Sequence, residues 1–342
     1  MKIGYVGEYL FKEGKHHFSE EAFSFINFFK PQHDLYVIKT SDPKMKGDYI
    51  QAMCLNDQHV DGVDIGSFDA IYFGLVGHKI IRYNLDNGLT NEIEDVCKIL
   101  DGFKSYRGKG VSLVNPAETI TSNMSKEYIL NLSRNTHLPF IPTKKIESLE
   151  ELFQLKKEKK KFIVKPLISE RANGTYVLND MGEEEIKQYF DKFNGKDNES
   201  ELSYSGVMDS QGIIVQPYNK GFMRSGEKKI AVVDGEVTLS RRTVPLKSGN
   251  KYSIVAPTNG AKMERYDPTP QEKELVLCAY EAFSHFYPAH FVRVDLVGAK
   301  SSLRINEIEA INPSFTTRFD FFSKDELNNH HQRLLDSFQK IN

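Results

Sequence analysis

Near the C-terminal end the chain reads Phe291-Val-Arg-Val-Asp-Leu-Val-Gly298, turns, and continues Leu303-Arg-Ile-Asn-Glu-Ile-Glu-Ala-Ile-Asn-Pro313. Both stretches alternate and are rich in β-branched residues, so they read as two adjacent strands. The side-chain period of two puts Arg293 and Asp295 on one face of the first strand, and Glu307 and Glu309 on one face of the second. Apolar neighbours on both sides argue that the strands are buried, where unpaired carboxylates are costly. Asp295, Glu307 and Glu309 therefore read as an oxygen cage for a hard divalent ion such as Mg²⁺, usually bound alongside phosphates. The plainer alternative is a solvated hairpin with scattered charge.

The rest of the chain reads as a frame around this pair. A length of 342 residues suggests two or three packed units. Residues 1–115 alternate strands (1–6, 34–39, 68–76, 111–114) with helices (19–30, capped by Ser19, and 91–103). That alternation predicts an α/β unit with a parallel sheet. Residues 116–210 predict a central subdomain with helices over 126–134 and 149–159, a buried strand over 162–166, a polar loop over 169–175 and a surface loop over 194–205. Residues 211–342 predict strands over 213–215, 229–233 and 237–244, with Asp234-Gly235 as a hairpin turn. Thr269-Pro-Gln-Glu272 is a capping box opening a helix to Phe286, and a last helix covers 325–339. The C-terminal part is thus α+β.

The chain carries 45 basic and 47 acidic residues, a net charge of -2, which gives no reason to expect nucleic acid or an anionic membrane as partner. Glu8 falls where a signal peptide needs an apolar run, and no stretch approaches the roughly 20 apolar residues of a membrane helix. Cys54, Cys97 and Cys278 are widely spaced and read as core thiols of a reducing cytoplasm. The lysine-rich run 156–161 reads as a solvated helix end. The adjacent pairs His16-His17 and His330-His331 read as surface residues, because neighbouring side chains point apart. A homodimer is the default assembly.

Several other residues carry chemistry. Lys165 sits in an apolar strand, where an ammonium needs a partner, and precedes the loop from Ser169 to Gly174 and Thr175, of the kind that covers phosphates. Lys126 opens a helix after a loop rich in Asn, Ser and Thr. Gln216, Pro217 and Tyr218 end a strand, Glu227 and Lys229 share a strand face, and Arg241-Arg242 ends the hairpin near Asn259-Gly-Ala-Lys262. In this order, with Arg-x-Asp and Glu-x-Glu following, the chain resembles the ATP-grasp superfamily. Within it the chain resembles the prokaryotic glutathione synthetase-like ligases, on Gly226-Glu-Lys-Lys-Ile-Ala-Val-Val-Asp-Gly-Glu236, Asn259-Gly-Ala-Lys262 and Val294-Asp-Leu-Val-Gly298. Glu307-Ile-Glu-Ala-Ile-Asn-Pro-Ser-Phe315 is similar to the corresponding stretch of the cycloserine-forming cyclases. The resemblance spans roughly residues 115–318.

That resemblance implies an ATP-grasp fold with an N-terminal α/β domain, and roles position by position. Lys126 and Lys165 would hold the ATP phosphates under a lid of residues 169–175, Gln216 to Tyr218 would form the adenine hinge, and Glu227 would bind ribose or the nearby nucleotide. Asp295, Glu307 and Glu309 would ligate two Mg²⁺, with Mn²⁺ as an alternative ion. Lys229, Arg242, Lys262 and Arg293 would surround the γ-phosphate and an acyl phosphate, the acceptor would lie against the N-terminal domain and the loops near Arg242 and Asn312, and Arg241 is a further candidate. The chain departs from the glutathione synthetase pattern at Glu309, which replaces Asn, at Gln216, which replaces a common Glu, and in a lid with one glycine. The implied activity is ATP-dependent joining of a small carboxylic acid to an amine, with release of ADP and phosphate. The alternatives are an intramolecular cyclase and a non-catalytic nucleotide-binding regulator. A dinucleotide oxidoreductase is disfavoured, since Gly4-Tyr-Val-Gly7 lacks the third glycine.

Overall fold

The computed structural model describes residues 1–7, 9–12, 15–18, 20–39, 45–46, 48–56, 60–74, 102–103, 110–169, 174–194, 212–245, 261–311 and 322–340. The first unit opens with Lys2–Gly7 (β1), the hairpin Tyr9–Lys12 (β2) and Lys15–Phe18 (β3), and the helix Glu20–Phe29 (α1). Asp34–Lys39 (β4), Met45–Lys46 (β5), Tyr49–Cys54 (β6), Val60–Asp64 (β7), Ala70–Phe73 (β8) and Ser112–Val114 (β9) follow. β1 pairs in parallel with β4 and β8, and β8 in parallel with β9. Beyond β4 the sheet continues antiparallel through β6, which carries β5 and β7, an edge the periodicity does not reveal. Alternate residues feed two cores. Ile3, Tyr5, Leu35, Val37 and Tyr72 meet Phe25 and Phe29 of α1, while Val6, Ile38, Ile71 and Phe73 face the other side. Most of the predicted helix over 91–103 and the Ser19 cap lie outside the described residues.

The central unit comprises Ala117–Asn123 (α2), Glu127–Asn135 (α3), Lys144–Ile146 (β10), Leu149–Lys157 (α4), Phe162–Pro166 (β11), Tyr176–Val177 (β12), Glu183–Asn194 (α5) and Ile213–Pro217 (β13). Its four strands run in the order β10-β13-β11-β12, so the strand after residue 210 belongs to this sheet. α4 starts where the Ser148 side chain accepts from Glu151 N–H. Leu152 of α4 and Ile186 and Tyr189 of α5 pack on Phe162, Val164, Ile213 and Val215. The opposite face carries Ile163, Lys165, Val177, Ile214 and Gln216, which are direct cross-strand partners of one another.

The third unit contains Gly221–Ser225 (α6), Glu227–Val233 (β14), Glu236–Val244 (β15), Lys262–Arg265 (β16), Pro270–Phe286 (α7), Phe291–Val297 (β17), Arg304–Glu309 (β18) and Lys324–Lys340 (α8). The sheet order is β16-β15-β14-β17-β18, antiparallel throughout. Asp234 and Gly235 both take positive φ, 45° and 81°, as the predicted hairpin turn requires. The capping box at Thr269 and Glu272 opens α7 as expected. Val276, Ala279 and Phe283 of α7 cover Ile230, Val232, Val292, Val294 and Leu296 on one face of the sheet. At one end of the other face, Ala231, Val233 and Phe291 join Leu334, Leu335 and Phe338 of α8 in the core of the first unit. No helix among the described residues is long and apolar enough to cross a membrane.

His330 and His331 correct the surface reading: each is only 4% exposed, because α8 is buried by both neighbouring units and not by one. His330 Nδ1 lies 2.9 Å from Thr238 Oγ1, and His331 sits among Phe25, Phe28 and Phe29. Burial pushes the pKa of His330 well below its ordinary value and that of His331 from 6.5 to about 4. The unfolded chain therefore binds more protons in mild acid. The stability contribution is complete above the unfolded value of 6.5 and declines as pH falls towards 4, by on the order of 3 kcal/mol for His331 alone. His331→Leu should flatten this acid dependence, read as the shift in urea midpoint between about pH 7 and about pH 4.5. Equal acid sensitivity in variant and parent would contradict it.

Candidate active site

The chain enters β14 through Gly226, whose φ is +69° and where a Cβ would stand 2.5 Å from the Thr243 carbonyl oxygen, so glycine is required. From there the register aligns Lys229 with Arg241 on one side and with Asp295 on the other. Asp295 in turn faces Glu307, and Arg293 faces Glu309. Direct cross-strand partners point to the same side of a sheet. One face thus presents Glu227, Lys229, Arg293, Asp295, Glu307 and Glu309 together, and it is the face opposite α7.

The charges on this face are tightly partnered. Arg293 Nε donates to Asp295 Oδ1 at 2.7 Å and its Nη2 to Oδ2 at 2.9 Å, a two-pronged pair between residues two apart on one strand. Lys229 Nζ lies 3.0 Å from Asp295 Oδ2 and 3.1 Å from Glu227 Oε2. Asp295 is 1% exposed and Arg293 7%. Burial works to raise the pKa of Asp295, but Arg293 and then Lys229 outweigh it and hold the carboxyl below its ordinary value. Burial likewise opposes the charge on Arg293, and Asp295 more than compensates.

The central sheet supplies the other wall. Lys126, 6% exposed at the junction of α2 and α3, donates through Nζ to the Ser169 carbonyl at 2.5 Å and lies 3.6 Å from Glu307 Oε1. Lys165 on β11 is half-buried. Burial lowers its pKa, Glu307 acts against that, and Lys126 adds to it. Two lysines of the central unit, one from the α2–α3 junction and one from its sheet, therefore meet the carboxylates of the third unit across a cleft. Thr175 is buried and Gly174 adopts φ +68°, but the loop tip, residues 170–173, lies outside the described residues. Gln216 Nε2 donates to Thr143 Oγ1 at 2.9 Å, Pro217 pairs with Phe162, and the Tyr218 N–H donates to Lys161 O at 2.9 Å.

Two residues expected here stand elsewhere. Arg242 is the register partner of Lys228 and Glu264, and Lys262 that of Val244, which places both on the face towards α7. There Arg242 bonds Glu264 and lies 5.5 Å from the Tyr266 ring. The Tyr266 hydroxyl donates to Glu272 Oε2 at 2.6 Å, and Lys228 Nζ donates to Glu272 Oε1 at 2.5 Å. These contacts knit the sheet to α7. Arg241, the sequence neighbour, takes the cleft face. Asn312 and Asn259 lie outside the described residues.

Two side chains escaped the sequence reading. Thr243, the partner of Glu227 across the ladder, and Asn306, whose Nδ2 donates to Glu227 Oε1 at 2.8 Å, are both buried. Thr243 Oγ1 and Asn306 Oδ1 have no hydrogen-bond partner among the described residues, the condition of polar atoms that await a ligand or water. Simple alternation puts Asn306 opposite Glu307. A register shift beside Asp295 lets it reach Glu227.

The expected cage is not preformed. Among the described residues no group of three acidic, His or Cys side chains is arranged to hold an ion by itself, since Asp295 is turned onto Arg293 and Lys229. The donor set is nonetheless all oxygen, and the Glu307 side chain is 26% exposed to the cleft. Such a set fits a hard divalent ion that completes its shell with phosphate oxygens.

Asp295→Asn should lower stability by about 3–5 kcal/mol, because it leaves Arg293 and Lys229 buried without their carboxylate. Glu307→Gln, at a partly exposed position, should change stability by no more than about 1 kcal/mol. Urea unfolding of the two variants compares them directly, and equal effects would contradict the assignment of Asp295 as the buried counter-ion.

No family model matches the sequence, and no curated protein matches it. Solved structures do. D-cycloserine synthetase DcsG is similar over 100% of both chains, with 16% identity and a TM-score of 0.66. The ATP-grasp ligase PsnB, complexed with its minimal precursor, is similar over 98% of both chains, with 16% identity and a TM-score of 0.62. The D-alanine–D-alanine ligase of Bacillus anthracis is similar over 100% of this chain and 97% of its own, with 14% identity and a TM-score of 0.57. Two sheets facing across a charged cleft, along the whole length shared with these proteins, identify the fold of this chain as that of the ATP-grasp ligases.

Proposed function

We propose that the protein is an ATP-dependent carboxylate–amine ligase that works through an acyl phosphate and releases ADP and phosphate. The observation that carries this reading is the cleft itself, with Lys126 and Lys165 on one wall and Asp295, Glu307 and Glu309 on the other. The lysines suit phosphates, and the carboxylates suit the divalent ion that accompanies them. Ile163, Val177 and Ile214, on the face of the central sheet away from its helices, would pack the adenine beside Gln216, Pro217 and Tyr218. Glu227, with the Thr243 and Asn306 oxygens that have no partner among the described residues, would take the ribose hydroxyls, whose protons they can accept.

A carboxylate resists attack by an amine because oxide is a poor leaving group. One carboxylate oxygen first attacks the γ-phosphorus as the bond to ADP breaks. The amine then adds to the carbonyl carbon, loses a proton, and phosphate departs with that oxygen. Bringing two anions together requires positive charge, which Lys229, Arg293 and Arg241 supply on the cleft face. Mg²⁺, held by Glu307 and Glu309 with Asp295, would add to it when bound. Attack by an amine of the same molecule would close a ring through the same activation. The similarity to D-cycloserine synthetase and to the macrocyclase MdnC, with a TM-score of 0.61, favours keeping that second reading.

With carboxylate-¹⁸O substrate from a panel of amino acids and short peptides, one label should pass into the released phosphate; AMP as product, or unlabelled phosphate, would exclude this route. Lys165→Ala should weaken nucleotide binding about 10- to 100-fold, the value of a charged contact to phosphate. Arg241→Ala should lower turnover far more than Arg242→Ala, whose effect should be on stability. The reverse ranking would place the acceptor on the other face of the sheet.

A further inference from the structure

β18, which carries Glu307 and Glu309, is the edge strand of its sheet. An edge strand exposes a row of unpaired N–H and C=O groups, yet here they are taken up by the segment around Lys126. Near the start of β18, Ile305 N–H donates to Pro139 O at 3.0 Å and Ile305 O accepts from Ile141 N–H at 2.9 Å. Further along, side chains take over. Ile308 N–H donates to the Tyr128 hydroxyl oxygen at 2.8 Å, and Ile308 O accepts from Asn123 Nδ2 at 2.9 Å. Ala310 N–H donates to Asn123 Oδ1 at 2.7 Å, and Ala310 O accepts from Asn115 Nδ2 at 2.8 Å.

Asn123 brackets Glu309 as the main chain of a neighbouring strand residue would, with one acceptor and one donor in a plane. It is itself buried, 6% exposed, and ends α2 three residues before Lys126. We propose that Asn123 is a positioning residue that stands in for a missing strand. Its amide fixes where Glu307 and Glu309 project, and ties them at a set distance from the phosphate lysine Lys126. The proposal rests on the nucleotide reading above, and it assigns a role to a residue whose amide bonds main-chain groups of Ile308 and Ala310.

Groups that orient metal ligands without touching the ion typically matter 10- to 100-fold for metal affinity. Asn123→Ala should therefore raise the Mg²⁺ concentration that half-maximally promotes nucleotide binding by about tenfold, measured with a fluorescent ATP analogue. Binding of the same analogue in EDTA should stay within about twofold of the parent, because Lys126 and Lys165 remain. Tyr128→Phe, which removes one of these bonds, should shift the Mg²⁺ dependence in the same direction by less. Hydrogen exchange supplies a readout that needs no ligand: the Ala310 amide should lose protection in Asn123→Ala while amides of β14 and β17 keep theirs. Unchanged Mg²⁺ dependence, an equal loss of binding with and without Mg²⁺, or a protected Ala310 amide would each overturn the proposal. If the parent protein binds no nucleotide, the functional reading fails, and the clamp is then judged by the exchange of Ala310 alone.

Discussion

The pair of Arg293 and Asp295 governs the third unit and, through it, the cleft. Both are buried, so neither charge can be left without the other. They lie two apart on a central strand, so their side chains share a face, and that face cannot be covered by an apolar layer where they stand. α7 covers the opposite face with Val276, Ala279 and Phe283, and α8 covers only the far end of the charged one. Lys229 and Glu227 extend the pair by one strand, Glu307 and Glu309 extend it on the other side, and the result is a polar band where two sheets approach. A buried pair of this kind adds little to stability compared with a packed apolar pair of the same volume; its consequence is local, in that the face of β17 that carries it takes polar neighbours and not an apolar cover.

Local periodicity made much of this legible. The strand alternation around Asp295 and Glu307, the turn at Asp234-Gly235 and the capping box at Thr269 each depend on residues next to one another in the chain, and each stands as the sequence predicts. What depends on a partner strand was not legible. Arg241 and Arg242 are adjacent and chemically identical, and only the pairing of β15 with β14 decides which one enters the cleft and which joins Glu264 and Tyr266. Asn306 is one residue from Glu307 and reaches the same site only because the ladder slips beside Asp295. His330 and His331 look polar in a surface helix, but α8 is enclosed by two units whose meeting no local pattern announces.

Edge positions show the same dependence from the other direction. Asn115, Asn123 and Tyr128 lie in a stretch that reads as a polar loop and a helix start. Asn115 accepts from the His290 and Phe291 N–H groups and donates to Phe291 O and Ala310 O, so one side chain joins both strands of the carboxylate pair to the end of β9. These amides serve the backbone, and nothing in their own neighbourhood indicates it. Their reason is the unsatisfied edge of β18, some 180 residues away in the chain, where buried main-chain groups must find partners.

The charges of the cleft are paired among its own side chains. Lys126 leans on Glu307 and the Ser169 carbonyl, Lys229 on Asp295 and Glu227, and the charge of Lys165 is favoured by Glu307 across the gap. A nucleotide entering with a divalent ion would replace these contacts and not simply add to them: phosphate takes the place of Glu307 beside the lysines, and the ion takes the place of the lysines beside Glu307. The two exchanges would therefore reinforce one another, because phosphate alone would leave the carboxylates facing an anion and a cation alone would leave the lysines unpaired. On the function proposed above, an ion-paired cleft would favour the complex of nucleotide and metal over either component.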